Sequence, residues 1–349
     1  MYPSRLMATA LRAAPRFALA LLLAAPAAAC RPDPPLPPDP DEPTPAATCA
    51  EAPLTLSRTE ADSALEAPPW LQVCTACPAE SIGFELENGN GASLPLATGW
   101  TPNRDCAVAL ATDPLPARPD IPARVEVSDD AGREGALDFE LPLADGRGAD
   151  PVDLGVATWL VPLDPGALRL PGSTVLLGDP PPAVLVSLGP ADSEARREVT
   201  FAPTRGDGVT QDLCAPTTTL AEPASLLSRQ VATPIVGDDP LPGGLLAERG
   251  ALQGRLTEEA DAIEDLVLLA VVDLVASEAV TGLSPQEACS TWNDALGFDP
   301  CIPCGPPSEG LAGLPACVTV VIETARAEAA PAPIVPLTAE TIPPNCRSL

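Results

Sequence analysis

Neither lysine nor histidine occurs anywhere in the 349 residues. Without imidazole there is no Ser-His-Asp or Cys-His relay and no histidine metal site; without lysine there is no Walker A loop, Schiff base or Ser-Lys dyad. The GxSxG and GxGxxG fingerprints are missing too. Aromatic residues are only 3% of the chain, so its cores must be built from valine, leucine and alanine. Positive charge is equally scarce: 19 arginines face 48 acids, for a net charge of −29. Such a field repels nucleic acid and anionic headgroups, and no nucleic-acid partner is expected. The enzymatic chemistry that survives is a pair of carboxylates, as in glycoside hydrolysis. Among so many acids, pairs arise everywhere by chance. No catalytic residue, metal site or cofactor is predicted.

What is present begins with an export signal. Arg5, Arg12 and Arg16 form a positive n-region, residues 17–25 (FALALLLAA) a short apolar core, and Ala27-Ala28-Ala29-Cys30 a small-residue cleavage site. The core is too short to span a bilayer. This pattern over the first thirty residues resembles bacterial lipoprotein signals, with Ala27 where the family usually carries leucine. The resemblance implies that Cys30 is acylated, palmitate included, and becomes the first mature residue. Ala27 and Ala29 also suit ordinary secretory cleavage, which would give a secreted protein with a free thiol at Cys30. Parity favours lipidation, since it leaves ten cysteines: Cys49, Cys74, Cys77, Cys106, Cys214, Cys289, Cys301, Cys304, Cys317 and Cys346. Arg31 after the anchor points, by analogy with enteric lipoproteins, to the outer rather than the inner membrane. Residues 30–48 read as a tether: eight prolines in 31–48 favour polyproline II and cannot form a core.

Residues 49–147 read as a β-sandwich. Ile82, Phe84 and Leu86 alternate with polar or small residues, as do Leu137, Phe139, Leu141 and Leu143, and Val108–Leu110 and Ala123–Val127 add further strands. Turn residues at 88–91, 101–103 and 129–132 separate them. Within this unit, residues 114–143 (PLPARPDIPARVEVSDDAGREGALDFELPL) resemble the closing strands of bacterial Ig-like domains, with a Leu-Pro lead-in, an alternating strand, an Asp-x-Ala-Gly turn and a final strand. The resemblance implies a spacer or binding module and no reaction.

Residues 148–330 read as a disulfide-stapled α+β domain. Residues 154–161 and 183–188 are apolar on both faces, as strands covered on both sides would be; 198–201 and 252–256 are weaker strand candidates. Thr257 followed by Glu258, Glu259 and Asp261 reads as an N-cap and acidic first turn, predicting a core-packed helix near 258–280. Ser284-Pro285-Gln286-Glu287 predicts a second helix over 284–296. The tail, 331–349, has five prolines and no periodicity.

The ten cysteines are expected to form five disulfides within the two units, with Cys77–Cys106, Cys289–Cys301, Cys304–Cys317 and Cys214–Cys346 favoured. Cys74-x-x-Cys77 and Cys301-x-x-Cys304 are also the spacing of zinc knuckles and redox sites, but an oxidising compartment favours disulfides. Acidic loops at 129–130, 145–150 and 238–239 carry oxygen ligands suited to calcium, and in a chain this acidic they read first as turns. Four scattered tryptophans, Trp70, Trp100, Trp159 and Trp292, read as core. The sequence therefore predicts a mainly β, lipid-anchored envelope or surface protein with a non-enzymatic binding, adhesion or structural role. Its partners would be the membrane, through the anchor, and a protein or glycan ligand.

Overall fold

The computed structural model describes the chain from residue 55 on, apart from 58–69, 76–78, 88–90, 103, 116–119, 130–133, 143–153, 155–156, 164–166, 171–172, 174–175, 177–182, 228, 242–244, 311–314, 344–345 and 347–349. The chain is mainly β, as composition and alternation predict. Its first seven strands are β1 (Thr55–Ser57), β2 (Trp70–Cys74), β3 (Ala79–Leu86), β4 (Leu96–Trp100), β5 (Cys106–Ala111), β6 (Asp120–Asp129) and β7 (Glu134–Pro142). They form two antiparallel sheets, β1-β2-β5-β4 and β3-β6-β7. Leu71, Ala109 and Ala111 of the first sheet pack against Leu86, Ile121 and Ala123 of the second. All six residues of β5 (CAVALA) are buried. Alternation cannot show in a strand covered on both faces.

The covering on β5's other face is a larger sheet. Its strands are β8 (Ala157–Pro162), β9 (Ala183–Ala191), β10 (Arg197–Pro203), β11 (Thr218–Thr219), β12 (Ser225–Leu227), β13 (Gln230–Pro240), β14 (Leu246–Leu256), β15 (Ala262–Asp273), β16 (Ile302–Pro303) and β17 (Pro315–Ala329). The order is β11-β10-β9-β8-β17-β15-β14-β13-β12, with β16 pairing β17. The two end strands are consecutive in sequence, and the segment joining them closes the sheet. Ala224 exchanges both backbone hydrogen bonds with Arg197 of β10, at 2.7 and 2.9 Å, and Leu220 N donates to Val199 O; from Ser225 the same segment pairs with β13. The result is an antiparallel barrel, which leaves few strand edges open. One apolar core fills it, drawing Trp159, Val186, Phe201, Ile235, Leu252, Leu268 and Val320 from strands all round the wall.

The outer wall at β14, β15 and β17 carries the sandwich. On β15, Leu266, Leu268, Ala270 and Val272 point into the barrel. Val267 and Leu269 meet Trp70, Val108 and Leu110 outside it, and Val271 meets Val73 and Trp100. The expected helix over 258–280 is thus a strand through most of its length. Residues 257–261 are the hairpin turn before it, where Thr257 Oγ1 donates to Asp261 and Ala260 has φ 56°. An apolar run buried on both faces has no period to distinguish strand from helix. Only Glu278–Thr281 is helical there (α1), whereas Pro285–Leu296 (α2) forms as expected. At α2, Ser284 and Glu287 close a capping box and Gly297 ends the helix at φ 76°; this local chemistry is fully encoded.

Polar side chains stitch sandwich to barrel across the apolar interface. Gln253 of β14 donates to Ala111 O (2.7 Å) and Asp113 O, and Gln230 of β13 exchanges two bonds with the Leu115 backbone. Trp70 Nε1 (3.3 Å) and Arg169 Nε (2.8 Å) both donate to Glu323 of β17. At Gly99 a Cβ would press on Thr319 Oγ1 at 2.7 Å, so glycine permits the close approach of β4 to the barrel wall.

Candidate functional site

Asp273 ends β15 by accepting hydrogen bonds from Val275 N and Ala276 N. The chain then makes an excursion that carries α1, α2 and β16 before returning as β17. Two disulfides hold it: Cys289–Cys301 ties α2 to the loop, and Cys304–Cys317 ties the loop to β17. Both are the expected pairs. Arg249 of β14 clamps the same region: its guanidinium donates to Thr98 O (2.8 Å), Gly305 O (2.9 Å) and Cys304 O and pairs with Glu248 at 3.2 Å. Burial lowers the pKa of Arg249. Burial also raises that of Glu248, with Asp273, Asp238 and Glu309 adding to the rise and Arg249 opposing it.

Glu248 with Cys304 and Cys317, and Asp299 with Cys289 and Cys301, bring their possible ligand atoms within 4.8 Å. In both groups the sulfurs are bonded to each other. A disulfide sulfur lacks the thiolate charge that holds zinc, so these clusters are structural staples in the oxidised protein. The two cysteines of Cys301-x-x-Cys304 serve different bridges, so this spacing is no dithiol redox pair.

In the sandwich, Cys74 rather than Cys77 joins Cys106. The register explains the correction: Trp70 lies opposite Leu110, which sets Cys74 directly opposite Cys106 with 4.0 Å between Cα atoms. Cys30, Cys49 and Cys77 lie outside the described residues. Cys214–Cys346 joins the tail to the loop after β10, beside the paired amide contacts of Gln211 with Val335 and of Thr217 with Leu337. Four disulfides indicate an oxidising, extracytoplasmic compartment. Among the described residues no helix is long and apolar enough to cross a membrane.

The other sequence candidates resolve into structure. Trp70, Trp100 and Trp159 are fully buried and Trp292 packs by Leu274, so they offer no stacking platform. The Asp239 carboxylate is 3% exposed and accepts from Ala221 N and Val236 N, a turn role that locks the barrel closure. Residue 130 and the 145–150 loop lie outside the described residues.

Among the described residues, two polar grooves stand out. One, of about 520 Å³, crosses the outer face of β3-β6-β7, lined by Ser81, Gly83, Arg124, Glu126 and Glu134, with Ser308 at its rim. Arg124 is held at 2.9 Å by both Glu126 and Asp138, which raise its pKa. The other, about 310 Å³, lies at the barrel end by the β14–β15 hairpin, where Glu264 is shared between Arg255 (2.9 Å) and Arg326 (3.1 Å). In both, the arginines are engaged by acids. The barrel-end groove draws Arg326 from a strand far in sequence from Arg255 and Glu264, whereas the charges of the sandwich groove lie on the neighbouring strands β6 and β7.

The chain matches no known protein family and no curated protein.

Proposed function

We propose that this is a lipid-anchored protein of the cell envelope or cell surface, with a non-enzymatic binding, adhesion or structural role. The observation that carries the reading is the commitment of eight cysteines to four disulfides in the folded body. It supports export; of the three cysteines that remain, Cys30, Cys49 and Cys77, Cys30 is the one that ends the lipoprotein-like signal, where attachment would occur. The Pro-rich segment 31–48 then serves as a spacer on the order of 50 Å between bilayer and fold. Outer-membrane residence follows from Arg31 by analogy, and the Ig-like reading of the sandwich rests on residues 114–143, whose described parts form β6 and β7.

The binding role is supported by where carboxylates are perturbed. A hydrolytic pair needs one acid kept protonated near neutral pH beside an ionised one. Glu248 has a raised pKa, but it faces the Cys304–Cys317 disulfide and the Arg249 clamp rather than either polar groove. Replacing Cys30 by serine tests the anchor: acyl labelling disappears and the protein moves to the soluble fraction. Unchanged membrane association sinks the anchor. A pull-down from intact envelopes with the mature protein tests the binding role.

A further inference from the structure

We propose that β7 is a strand-addition site for an extended, basic segment of a partner protein. The proposal rests on the binding reading above and names its surface and the chemistry of its partner.

Among the described residues, β7 pairs with β6 alone, so the other edge of this nine-residue strand has backbone donors and acceptors with no strand beside it. Such an edge is a template for a further strand. The barrel shows what the fold does elsewhere, for there the sheet's two ends are joined through residues 220–224. Along β7, Glu134, Ala136, Asp138 and Glu140 share one face, and all four are exposed. The cation on the same face is Arg124, already held by Glu126 and Asp138.

This distribution selects the occupant. Antiparallel pairing of β7 with its own copy about residue 137 sets Glu134 against Glu140 and Asp138 beside Ala136. Like charges directly opposite destabilise a ladder, so the acids disfavour this pairing with a second copy. A strand with arginine or lysine at alternate positions meets Glu134, Asp138 and Glu140 instead, and the adjoining groove, open over Gly83 and Gly135, receives its long side chains toward Glu126. Backbone pairing supplies affinity and the alternate charges supply selectivity.

The test uses the mature protein and a nine-residue alternating Arg-Val peptide, with the same peptide N-methylated at alternate amides as a charge-matched control. The expected result is added hydrogen-exchange protection confined to β7 and the groove, and binding weakened at least about tenfold by N-methylation, because strand addition depends on main-chain bonds. Glu134→Arg with Glu140→Arg should abolish this binding and admit an alternating Glu-Val peptide, while Glu258→Arg with Glu259→Arg at the barrel end leaves it intact. Equal binding of the methylated peptide, unchanged β7 exchange, or equal loss from the barrel-end variant overturns the proposal. Self-association through β7, or glycan binding in the groove in place of peptide, overturns it as well. The envelope pull-down separates the two levels: if the wild type captures nothing, the binding reading fails; if the β7 variant captures the same partner equally well, only the strand-addition site fails.

Discussion

β15 is held between two cores, while β7, among the described residues, pairs with β6 alone and exposes its acidic face. Nearly every residue of β15 is buried, alternately into the barrel and into the sandwich interface. The described side chains of β7 are exposed except for half-buried Leu137. The strand that matters most to stability therefore carries the least readable pattern, and the strand that alternates visibly is the one whose outer face is free for recognition. Stability and function have been given to different strands of one body, joined through the shared core of β2, β4 and β5 with the barrel wall.

The strongest way to break that contrast is to truncate on β15. Leu269→Ala, at a position with 0% exposure, should cost about 2–5 kcal/mol, the range for buried leucine truncations. Because Leu269 belongs to a core shared by barrel and sandwich, both should melt in one transition in calorimetry. A sandwich that keeps its own melting temperature would show that the interface is not cooperative. Next in size is the tail disulfide: Cys346→Ala opens a bridge spanning 132 residues of sequence and should cost about 2–4 kcal/mol through the unfolded chain's entropy. Peptide mapping without reduction checks the pairing itself, and linkage of Cys346 to Cys106 would contradict it. Arg249→Ala should cost about 1–3 kcal/mol by leaving the carbonyls of Thr98, Cys304 and Gly305 without their donor. Arg249→Lys should recover little, since one ammonium cannot reproduce the guanidinium fork. On β7 the corresponding experiment is nearly silent: Glu134→Arg should shift stability by no more than about 0.5 kcal/mol, as exposed substitutions do. A larger loss would mean that this edge is structural.

How legible each part was follows from the same physics. The two-faced pattern of β3, β6 and β7 marked half-buried strands, and Ser284, Pro285, Glu287 and Gly297 marked α2 because caps act within one turn. β15 was misread because Leu266 to Val272 is apolar throughout. β13 escaped notice because Pro234 argues against a central strand. The structure admits it because Pro234 lies beyond the three residues of β13 that pair with β12. β17 carried a usable signal in the β-branched run Val318-Thr319-Val320-Val321-Ile322. Barrel closure and the Arg249 clamp depend on register between distant strands, which local patterning does not contain. The disulfide pairs were legible where two cysteines lay a dozen residues apart, and Cys214 with Cys346 once those local pairs were assigned; the Cys77 preference failed because the β2–β5 register decided instead.

The smallest predicted effect is a pH dependence set by two acids of opposite character. Asp207 is held at about 2 by backbone donors from Thr210 and Val209. Its folded pKa lies below the ordinary carboxylate value, so its stabilisation is full above that value and is lost as pH falls toward 2. Glu248 runs the other way. Burial raises its folded pKa above the unfolded one, so its ionisation opposes folding at neutral pH, and that opposition fades as pH falls through the folded pKa toward the ordinary value. The chain's excess of acids adds self-repulsion of the same sign. Stability should therefore rise slightly on mild acidification from neutrality, peak above the ordinary carboxylate pKa of about 4, and fall below it. Urea denaturation across this range checks the profile. Glu248→Gln should flatten the neutral limb and Asp207→Asn the acid limb, with exposed Glu258→Gln as the control for general charge. If Glu248→Gln changes the neutral limb no more than that control, Glu248 is solvated, and the closed packing assigned to Arg249 and the Cys304–Cys317 loop is wrong at that point.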